Sequence, residues 1–268
     1  MTRIIVTTSG KGGVGKTTFT ANIGMALARM GRTVVLVDAD FGLRNLDLLL
    51  GLENRIVYTA VEVVTGECRL EQALVKDKRE PKLVLLPAAQ NRTKEAVTPE
   101  QMKQLVGTLT KNYEYIVIDS PAGIETGFKN AIVAAQEAII VTTPEIAAVR
   151  DADRVVGLLE ANGVKQIQLI VNRLRPAMVQ MNDMMSVQDV QELLGIPLLG
   201  VVPEDERVIV STNRGEPLVL AEDHTLAGKA FDNIARRLEG EKIEFLDLHS
   251  VHEGFLSRLR KLLWTKLI

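Results

Sequence analysis

The sequence predicts an α/β fold, an open and mostly parallel sheet with helices on both of its faces. Short apolar runs alternate along the chain with segments that carry apolar residues at helical spacing. Several of these runs are almost continuously apolar, as expected for strands that are buried on both faces of a parallel sheet. Many of them end in a polar residue, and ligands of such folds bind beyond the carboxyl ends of the strands.

The strands are predicted from their apolar runs, and the helices from periodicity and capping signals. We predict strands at 3–7, 33–38, 82–87, 115–119, 138–142, 167–173 and 198–203. Helices are predicted at 18–30, within 58–76, from 98 onward, and at 146–159, 186–194 and 224–238. Thr98, Pro99 and Gln101 have the residue types of an N-cap, a first helical position and a capping box, and Ser186 is a second predicted N-cap. We predict a loop for residues 39–47.

Residues 10–17 match the phosphate-binding pattern G-x-x-x-x-G-K-[ST] and lie between the first predicted strand and the first helix. The glycines allow the backbone to curve so that successive N–H groups point inward, and the helix N-terminus adds partial positive charge. Lys16 would contact the β- and γ-phosphates, and the Thr17 hydroxyl would bind Mg²⁺. The predicted nucleotide ligands in this region are Gly10, Lys11, Gly12, Gly13, Val14, Gly15, Lys16, Thr17 and Thr18.

Lys11 lies between glycines at the tip of this loop, where its side chain has poor access to phosphates bound by its own chain. It is either a solvated lysine or one that reaches a second copy of the chain. The stretch 11–17 resembles the deviant Walker A family of P-loop ATPases. In that family the early lysine acts in trans in an ATP-bound dimer, so the resemblance implies an ATP-dependent homodimer.

Three aspartates follow predicted strands. Asp119 ends its strand as the magnesium-associated aspartate of P-loop ATPases does, although a strand-end aspartate can also cap the next turn. Asp38 and Asp40 are two residues apart, so an extended backbone would place both on one face. The resemblance implies that Asp40 positions the hydrolytic water and Asp38 supports the magnesium region. Arg44 is an alternative to Lys11 as an arginine finger. We predict Mg²⁺ at Thr17, Asp38 and Asp119, and catalysis by Lys11, Lys16 and Asp40.

The base of the nucleotide is predicted from the last two strands. Asn172 and the segment Pro203, Glu204 and Asp205 match the positions at which the resembled family holds adenine. The sequence contains no Asn-Lys-x-Asp guanine motif, which favours ATP over GTP. The predicted ligands are therefore ATP and Mg²⁺.

Composition and charge limit the alternatives. Cys68 is the one cysteine, which excludes a disulfide within the chain and an iron–sulfur or metal site built from several thiolates. The net charge of −2 gives no global basic field for nucleic acid, and we predict no specific nucleic-acid partner. There is no signal-peptide pattern and no apolar run of about 20 residues, so we expect a cytoplasmic protein.

Residues 254–268 are predicted to form an amphipathic helix that binds membranes. Its apolar residues form one helical stripe, basic residues without any acidic one lie beside the stripe, and a tryptophan flanks it. The alternative is a helix that packs on the body of the protein. The predicted membrane-binding residues are Phe255, Leu256, Arg258, Leu259, Lys261, Leu262, Leu263, Trp264 and Leu267. The predicted organisation is an ATPase domain at 1–240, a linker at 241–253 and this helix at 254–268.

Residues 38–47, 119–125 and 149–154, together with the basic tail, resemble the branch of this family that places the cell-division septum. The resemblance implies a switch that binds the inner face of the cell membrane as an ATP-bound dimer on anionic lipid. There it would recruit a division inhibitor, MinC, and a specificity factor, MinE, would stimulate hydrolysis and release. The alternatives are a partition ATPase that binds DNA nonspecifically and a nucleotide-dependent scaffold with negligible turnover.

Overall fold

The computed structural model describes residues 2–90, 96–222 and 225–248, and these contain one eight-stranded sheet. The strands are β1 (Arg3–Thr8), β2 (Val34–Asp38), β3 (Val75–Lys76), β4 (Leu83–Leu86), β5 (Tyr115–Asp119), β6 (Glu137–Thr142), β7 (Gln166–Leu174) and β8 (Leu198–Pro203). Their order is β3-β4-β2-β5-β1-β6-β7-β8, and only the edge strand β3 pairs antiparallel. The predicted open and mostly parallel sheet is therefore confirmed, and all seven predicted strands are present.

Eleven α-helices surround the sheet in the described part of the chain. They are α1 (Lys16–Arg29), α2 (Leu46–Leu50), α3 (Ala60–Val64), α4 (Leu70–Ala73), α5 (Pro99–Leu109), α6 (Thr126–Ile132), α7 (Ile146–Ala161), α8 (Pro176–Gln180), α9 (Val187–Leu194), α10 (Glu206–Asn213) and α11 (Leu226–Leu238). Two short 3-10 helices lie at Glu53–Arg55 and Leu218–Leu220. None of the helices within the described ranges has the length and apolar character that crossing a membrane requires.

Two hydrophobic cores hold the helices against the sheet, one on each face. On one face, α1 and α11 pack through residues such as Phe19 and Phe231, whose ring centroids are 6.3 Å apart. On the other face, α5, α6 and α7 supply residues such as Met102 and Phe128. Because both faces of the sheet are covered, its central strands are apolar at almost every position, which is the pattern that predicted a parallel sheet.

The predicted caps are confirmed, and the short helices account for most of the differences from the predicted elements. The Thr98 and Ser186 side chains cap α5 and α9, each with a capping box. The prediction of a loop over residues 39–47 is wrong at its C-terminal end, because α2 begins at Leu46. The helices α6, α8 and α10 and the strand β3 were not predicted. The last helix begins after the Thr225 cap rather than at 224, which lies outside the described residues.

The carboxyl ends of the strands bring the predicted site residues to one edge of the sheet. In the register of β2 and β5, Asp38 is paired with Asp119, and Thr7 of β1 is paired with Asp119 from the other side. The loop that leaves β1 runs across this edge into α1. The phosphate-binding pattern and two of the three predicted aspartates are therefore adjacent, although the sequence separates them widely.

The described part of the predicted linker, residues 241–248, lies against the end of α11. The Arg237 guanidinium donates hydrogen bonds to the carbonyls of Ile243 at 3.0 Å and Glu244 at 2.8 Å. It also stacks over the Phe245 ring at 4.3 Å from the centroid, and Leu248 is buried in the core. Residues 243–248 are thus held against α11 and the core. The predicted membrane helix 254–268 lies outside the described residues.

Candidate active site

The phosphate-binding loop has the backbone conformation that its glycines predict. Gly13 and Gly15 have φ of 79° and 94°, in the left-handed region that side chains other than glycine rarely adopt. Gly15 is the N-cap of α1, no side chain caps this terminus, and its first turn contains no acidic residue. The first N–H groups of a helix have no partner within the helix. The loop and helix terminus therefore present backbone donors and positive potential, which suits phosphate groups.

Two glycines of the loop are also required by close contacts. A Cβ atom built on Gly10 would lie 2.2 Å from the carbonyl carbon of Asp151, so the loop backbone rests directly on α7. A Cβ atom on Gly15 would lie 2.3 Å from Nδ2 of Asn172. Contacts this short do not occur, so a side chain at either position would displace the loop from α7 or from the end of β7.

The Lys16 ammonium is buried beside the end of β5. Its Nζ lies 3.0 Å from Oδ1 of Asp119, and the two side chains are 7% and 1% exposed. The Thr20 hydroxyl, one helical turn after Lys16, donates to the same carboxylate oxygen at 3.0 Å. Asp119 thus orients the lysine at the mouth of the loop, and Lys16 supplies the positive charge that makes burial of this carboxylate tolerable.

Asp38 lies beside Asp119 at the end of β2 and is 1% exposed. Its carboxylate accepts hydrogen bonds from the backbone N–H groups of Asp40 at 3.0 Å and Leu46 at 3.3 Å. Burial, and then the neighbouring charge of Asp119, raise the pKa of Asp38 to about 7. Two carboxylates are thus adjacent, and one of them is driven toward its neutral form. A bound cation would stabilise both of them in the charged form. With the Thr17 hydroxyl in the first turn of α1, the donor set is oxygen only and fits Mg²⁺.

Asp40 begins the segment that follows β2, and its backbone is fixed on both sides. Its N–H donates to Asp38, and its carbonyl accepts from Leu43 and Arg44, both at 3.2 Å. Arg44 has φ of 28°, an uncommon value for a residue other than glycine. Its Nε lies 2.8 Å from Oδ2 of Asp47, which is fully buried. The Arg44 guanidinium is therefore engaged within its own segment, which disfavours the alternative role considered for it.

Lys11 forms an exposed ion pair with a residue at the start of α7. Its Nζ lies 3.2 Å from Oε2 of Glu145, the residue before α7, and the two side chains are 43% and 57% exposed. Exposed ion pairs of this kind contribute only about 0–1 kcal/mol, so Lys11 can leave Glu145 at little cost.

A cavity of about 490 Å³ lies between the loop and the end of β8. The four residues predicted to hold adenine all line it: Asn172, Pro203, Glu204 and Asp205. Thr18 and Glu206, the first residue of α10, line it as well. Glu204 forms an ion pair with Arg175, and Asp205 caps α10. Asn172 has a second contact that was not predicted, since its Nδ2 donates to the carbonyl of Val14 at 2.7 Å.

The structure brings the predicted loop, aspartate and adenine residues to one edge, and it adds two residues that were not predicted, Thr20 and Glu145. Thr20 follows Lys16 by four residues, so helical spacing alone could have placed it on the same face. Glu145 directly precedes a predicted helix and could have been considered as its N-cap residue. No pattern in the sequence indicates that Gly10 contacts α7.

The chain was compared with known proteins. The family model described as "ParA: NUBPL iron-transfer P-loop NTPase" matches residues 1–239. The septum site-determining protein MinD of Synechocystis sp. is 65% identical over 261 residues, which cover 97% of this chain and 98% of the relative. With a single cysteine, this chain lacks the paired thiolates expected of iron carriage.

Two solved structures extend the comparison. In the MinC:MinD cell division complex of Aquifex aeolicus, the matching chain has a TM-score of 0.84 and 49% identity, with 90% of this chain and 98% of that chain covered. The septum site-determining protein MinD of Pyrococcus horikoshii, complexed with Mg-ADP, has a TM-score of 0.82 and 34% identity, with 89% and 96% covered. The chain therefore belongs to the septum-site-determining MinD family of ATPases, a branch of the ParA-type P-loop proteins with a deviant Walker A motif.

Proposed function

We propose that this ATPase is a membrane switch: ATP joins two copies of the chain, the dimer binds the inner face of the cell membrane, and hydrolysis releases it. Within each copy, residues 10–18 hold the phosphates through backbone N–H groups, and Lys16 contacts the β- and γ-phosphates. The cavity beyond β7 and β8 holds the adenosine through Asn172 and Pro203, Glu204 and Asp205. This assignment is supported by the burial of the Lys16–Asp119 pair and by the position of the cavity beside the loop.

Hydrolysis needs an oriented water molecule and compensation of the charge that develops on the phosphates. The water oxygen forms a bond to the γ-phosphorus while the bond from this phosphorus to the β,γ-bridging oxygen breaks. We assign orientation of the water to the Asp40 carboxylate, whose backbone is fixed by Asp38 and by the turn at Leu43 and Arg44. Lys16 offsets the negative charge of the phosphates from within the same chain.

Thr17, Asp38 and Asp119 are the residues that we expect to hold Mg²⁺. The ion would supply positive charge to the phosphate oxygens and to the two buried carboxylates. The raised pKa of Asp38 supports this assignment, because a carboxyl that is partly neutral in the free protein would become an anionic ligand beside a divalent cation.

The observation that carries the switch proposal is the exposed ion pair of Lys11. Its ammonium pairs with Glu145, the residue before α7, and both side chains are exposed. An exposed ammonium held by such a pair is accessible to a nucleotide that a second copy of the chain would present. We assign to Lys11 the charge that each copy contributes to the other's triphosphate. Hydrolysis would then depend on the dimer.

The partners follow from the family. One solved relative is a MinC:MinD complex, and we propose that this chain likewise recruits a MinC-type division inhibitor. We further propose a MinE-type factor that stimulates hydrolysis. Residues 254–268 would bind anionic lipid, and 241–253 would connect them to the ATPase domain at 1–240. One tail should bind weakly, whereas two tails joined by ATP gain avidity of about 10²–10⁴-fold.

The switch can be tested by sedimentation with vesicles that contain phosphatidylglycerol, in ATP, in ADP and without nucleotide. The full chain should sediment with the vesicles in ATP and remain in solution in the other two conditions. Neutral phosphatidylcholine vesicles and a chain that lacks residues 254–268 serve as controls, and both should remove binding. The truncated chain should still dimerise with ATP in light scattering.

Two results would overturn the proposal. Sedimentation of the truncated chain with vesicles in ATP would show that the tail is not the anchor. Equal sedimentation in ATP and ADP would show that nucleotide does not control the membrane contact. If the truncated chain instead retains ATP-dependent binding to nonspecific DNA, the partition ATPase alternative is favoured.

A further inference from the structure

Two short helices start at the nucleotide site and end at the same place behind it. The helix α2 begins at Leu46, whose N–H donates to Asp38 at 3.3 Å, so its first turn is attached to a carboxylate that we expect to hold Mg²⁺. The helix α10 begins after Asp205, in the lining of the adenine cavity. The carboxyl ends of these two helices meet through Gly51 and Gly215.

The contact between Gly51 and Gly215 is a contact of backbone with backbone. A Cβ atom on Gly51 would lie 2.9 Å from the carbonyl oxygen of Gly215, and one on Gly215 would lie 2.6 Å from Cα of Gly51. Both residues have left-handed φ values, 62° and 64°. Any side chain at either position would therefore separate the two helix ends.

The Arg79 guanidinium bridges the same two helix ends. Its Nη2 donates to the carbonyl of Leu50 at 2.6 Å, and its Nη1 donates to the carbonyl of Gly215 at 2.9 Å. Leu50 is the last residue of α2, so its carbonyl has no acceptor role inside the helix. One planar group thus satisfies a carbonyl at the end of α2 and a carbonyl just beyond α10.

Asp77 fixes the orientation of this guanidinium. Its carboxylate is almost fully buried and accepts from Nε of Arg79 at 3.1 Å and from Nη2 at 2.7 Å. Burial raises the pKa of Asp77, but the hydrogen bonds from Arg79 outweigh it and hold the pKa below its usual value. Two guanidinium nitrogens, Nε and Nη2, are paired with the Asp77 carboxylate. This pairing fixes the plane of the guanidinium while it donates to the two helix ends.

We propose that Arg79 is a positioning residue that couples the adenine cavity to the carboxylate segment of Asp38 and Asp40. Each helix connects one part of the nucleotide site to Arg79, so ordering of α10 by the adenosine is transmitted through Arg79 and the two glycines to α2. The segment before α2 is then held where Asp40 orients the water. The proposal rests on the proposed function, since it assumes that the cavity holds the base and that Asp40 acts on the water.

The test compares hydrogen–deuterium exchange of Arg79→Gln and the wild-type chain, with and without Mg-ADP. In the wild-type chain ADP should slow exchange in residues 10–17, 39–50 and 206–215. In Arg79→Gln it should still slow exchange in the first and third segments, while protection of 39–50 is lost. The kcat for ATP should fall about fivefold or more with KM within twofold, since coupling between sites is commonly fivefold to 150-fold.

Matched variants separate coupling from stability. Arg237→Gln removes another guanidinium that donates to backbone carbonyls, at the end of α11, and should leave protection of 39–50 unchanged. Gly215→Ala separates the helix ends without changing Arg79 and should reproduce Arg79→Gln. If Arg79→Gln fails to fold, Gly215→Ala tests the coupling in its place. Arg79→Lys keeps the charge but replaces the planar guanidinium, whose separate nitrogens donate to the two carbonyls, with a single ammonium nitrogen, so it should be intermediate.

The outcomes are distinct. Retained protection of 39–50 in both Arg79→Gln and Gly215→Ala overturns the coupling role, as does a loss of protection in Arg237→Gln of the same size. Absence of ADP protection in residues 10–17 of the wild-type chain would instead contradict the nucleotide site itself and with it the proposed function.

Discussion

The ammonium of Lys16 and the carboxylate of Asp119 are 3.0 Å apart at the nucleotide site, and both are buried. Lys16 opens α1 and Asp119 ends β5, so the pair joins the phosphate-binding loop to the centre of the sheet. On the other side of Asp119 lies Asp38, which accepts hydrogen bonds from two backbone N–H groups and whose pKa is raised to about 7. The charge of Asp119 is thus offset by a lysine, whereas Asp38 is driven toward its neutral form. That asymmetry indicates where a cation is needed.

The first prediction separates the two roles of Lys16. Lys16→Ala should abolish ATP binding and also lower stability by about 3–5 kcal/mol, because it leaves the Asp119 charge buried without a partner. Adding Asp119→Asn should restore much of the stability but not ATP binding. Calorimetric titration with ATP and thermal unfolding of both variants measure the two effects. ATP binding by Lys16→Ala at wild-type affinity would contradict the assignment.

The second prediction concerns Lys11. Lys11→Ala should keep ATP affinity and change stability by less than about 0.5 kcal/mol, since its pair with Glu145 is exposed. It should nevertheless lose ATP-dependent dimerisation and hydrolysis, because each copy then lacks the charge supplied by the other. Light scattering and phosphate release measure these losses. Glu145→Gln is the control: it removes the pairing but keeps the lysine, and it should still dimerise. Normal dimerisation of Lys11→Ala would exclude the role in trans.

The sheet and the phosphate-binding loop could be predicted because their signals are local. The strand Tyr115–Asp119 is an apolar run that ends in a single aspartate, and residues 10–17 carry their pattern in eight consecutive positions. The helix α2 has only five residues, fewer than periodicity can detect, and β3 has two. Asn45, the N-cap of α2, lies between Gly42 and Gly51, and these residue types are typical of turns, so this segment resembled a continuous loop.

Contacts between distant residues could not be predicted in the same way. The pairing of Lys16 with Asp119 joins positions 103 residues apart and follows only once the strand order is known. Asn172 was predicted from the family as an adenine contact. Its bond to Val14 depends on how close β7 passes to the loop, which no residue type specifies.

The third prediction concerns the pH dependence of stability. Burial, and then the hydrogen bond to Glu239, raise the pKa of Tyr115 to about 12. In the unfolded chain this phenol ionises near pH 10. Its contribution to the free energy of unfolding is therefore complete below pH 10 and is lost as the pH rises to about 12. Tyr115→Phe should cost about 1–2 kcal/mol at pH 7, because the hydrogen bond at 2.5 Å to Glu239 is lost.

Chemical denaturation at several pH values measures this dependence. The difference in unfolding free energy between the wild-type chain and Tyr115→Phe should be constant from pH 7 to pH 9 and should shrink between pH 10 and pH 12. A difference that stays the same across the whole range would show that Tyr115 keeps an ordinary pKa in the folded state.

The fourth prediction concerns Asp40. Asp40→Ala should bind ATP and dimerise, but hydrolysis should slow by about 10²–10⁴-fold because the water is no longer oriented. The protein should consequently remain on anionic vesicles in ATP. Single-turnover phosphate release measures the rate, with Glu160→Ala, an exposed residue near the end of α7, as the control. Wild-type rates of phosphate release from Asp40→Ala would exclude the assignment.

The fifth prediction distinguishes two roles of Asn172, which lines the cavity proposed to hold adenine and also donates to Val14 of the loop. If Asn172 acts only by bracing the loop, Asn172→Ala should weaken the binding of ATP and of inorganic tripolyphosphate alike. Because we assign it both contacts, we expect a loss of about fivefold to tenfold for tripolyphosphate and a larger loss for ATP, since a net hydrogen bond contributes about 1 kcal/mol. Asn162→Ala removes a similar amide bond to a helix carbonyl at the surface and should change neither affinity. Calorimetric titration with each ligand decides the question. A loss confined to ATP would show that Asn172 contacts the adenine and that its bond to Val14 is dispensable.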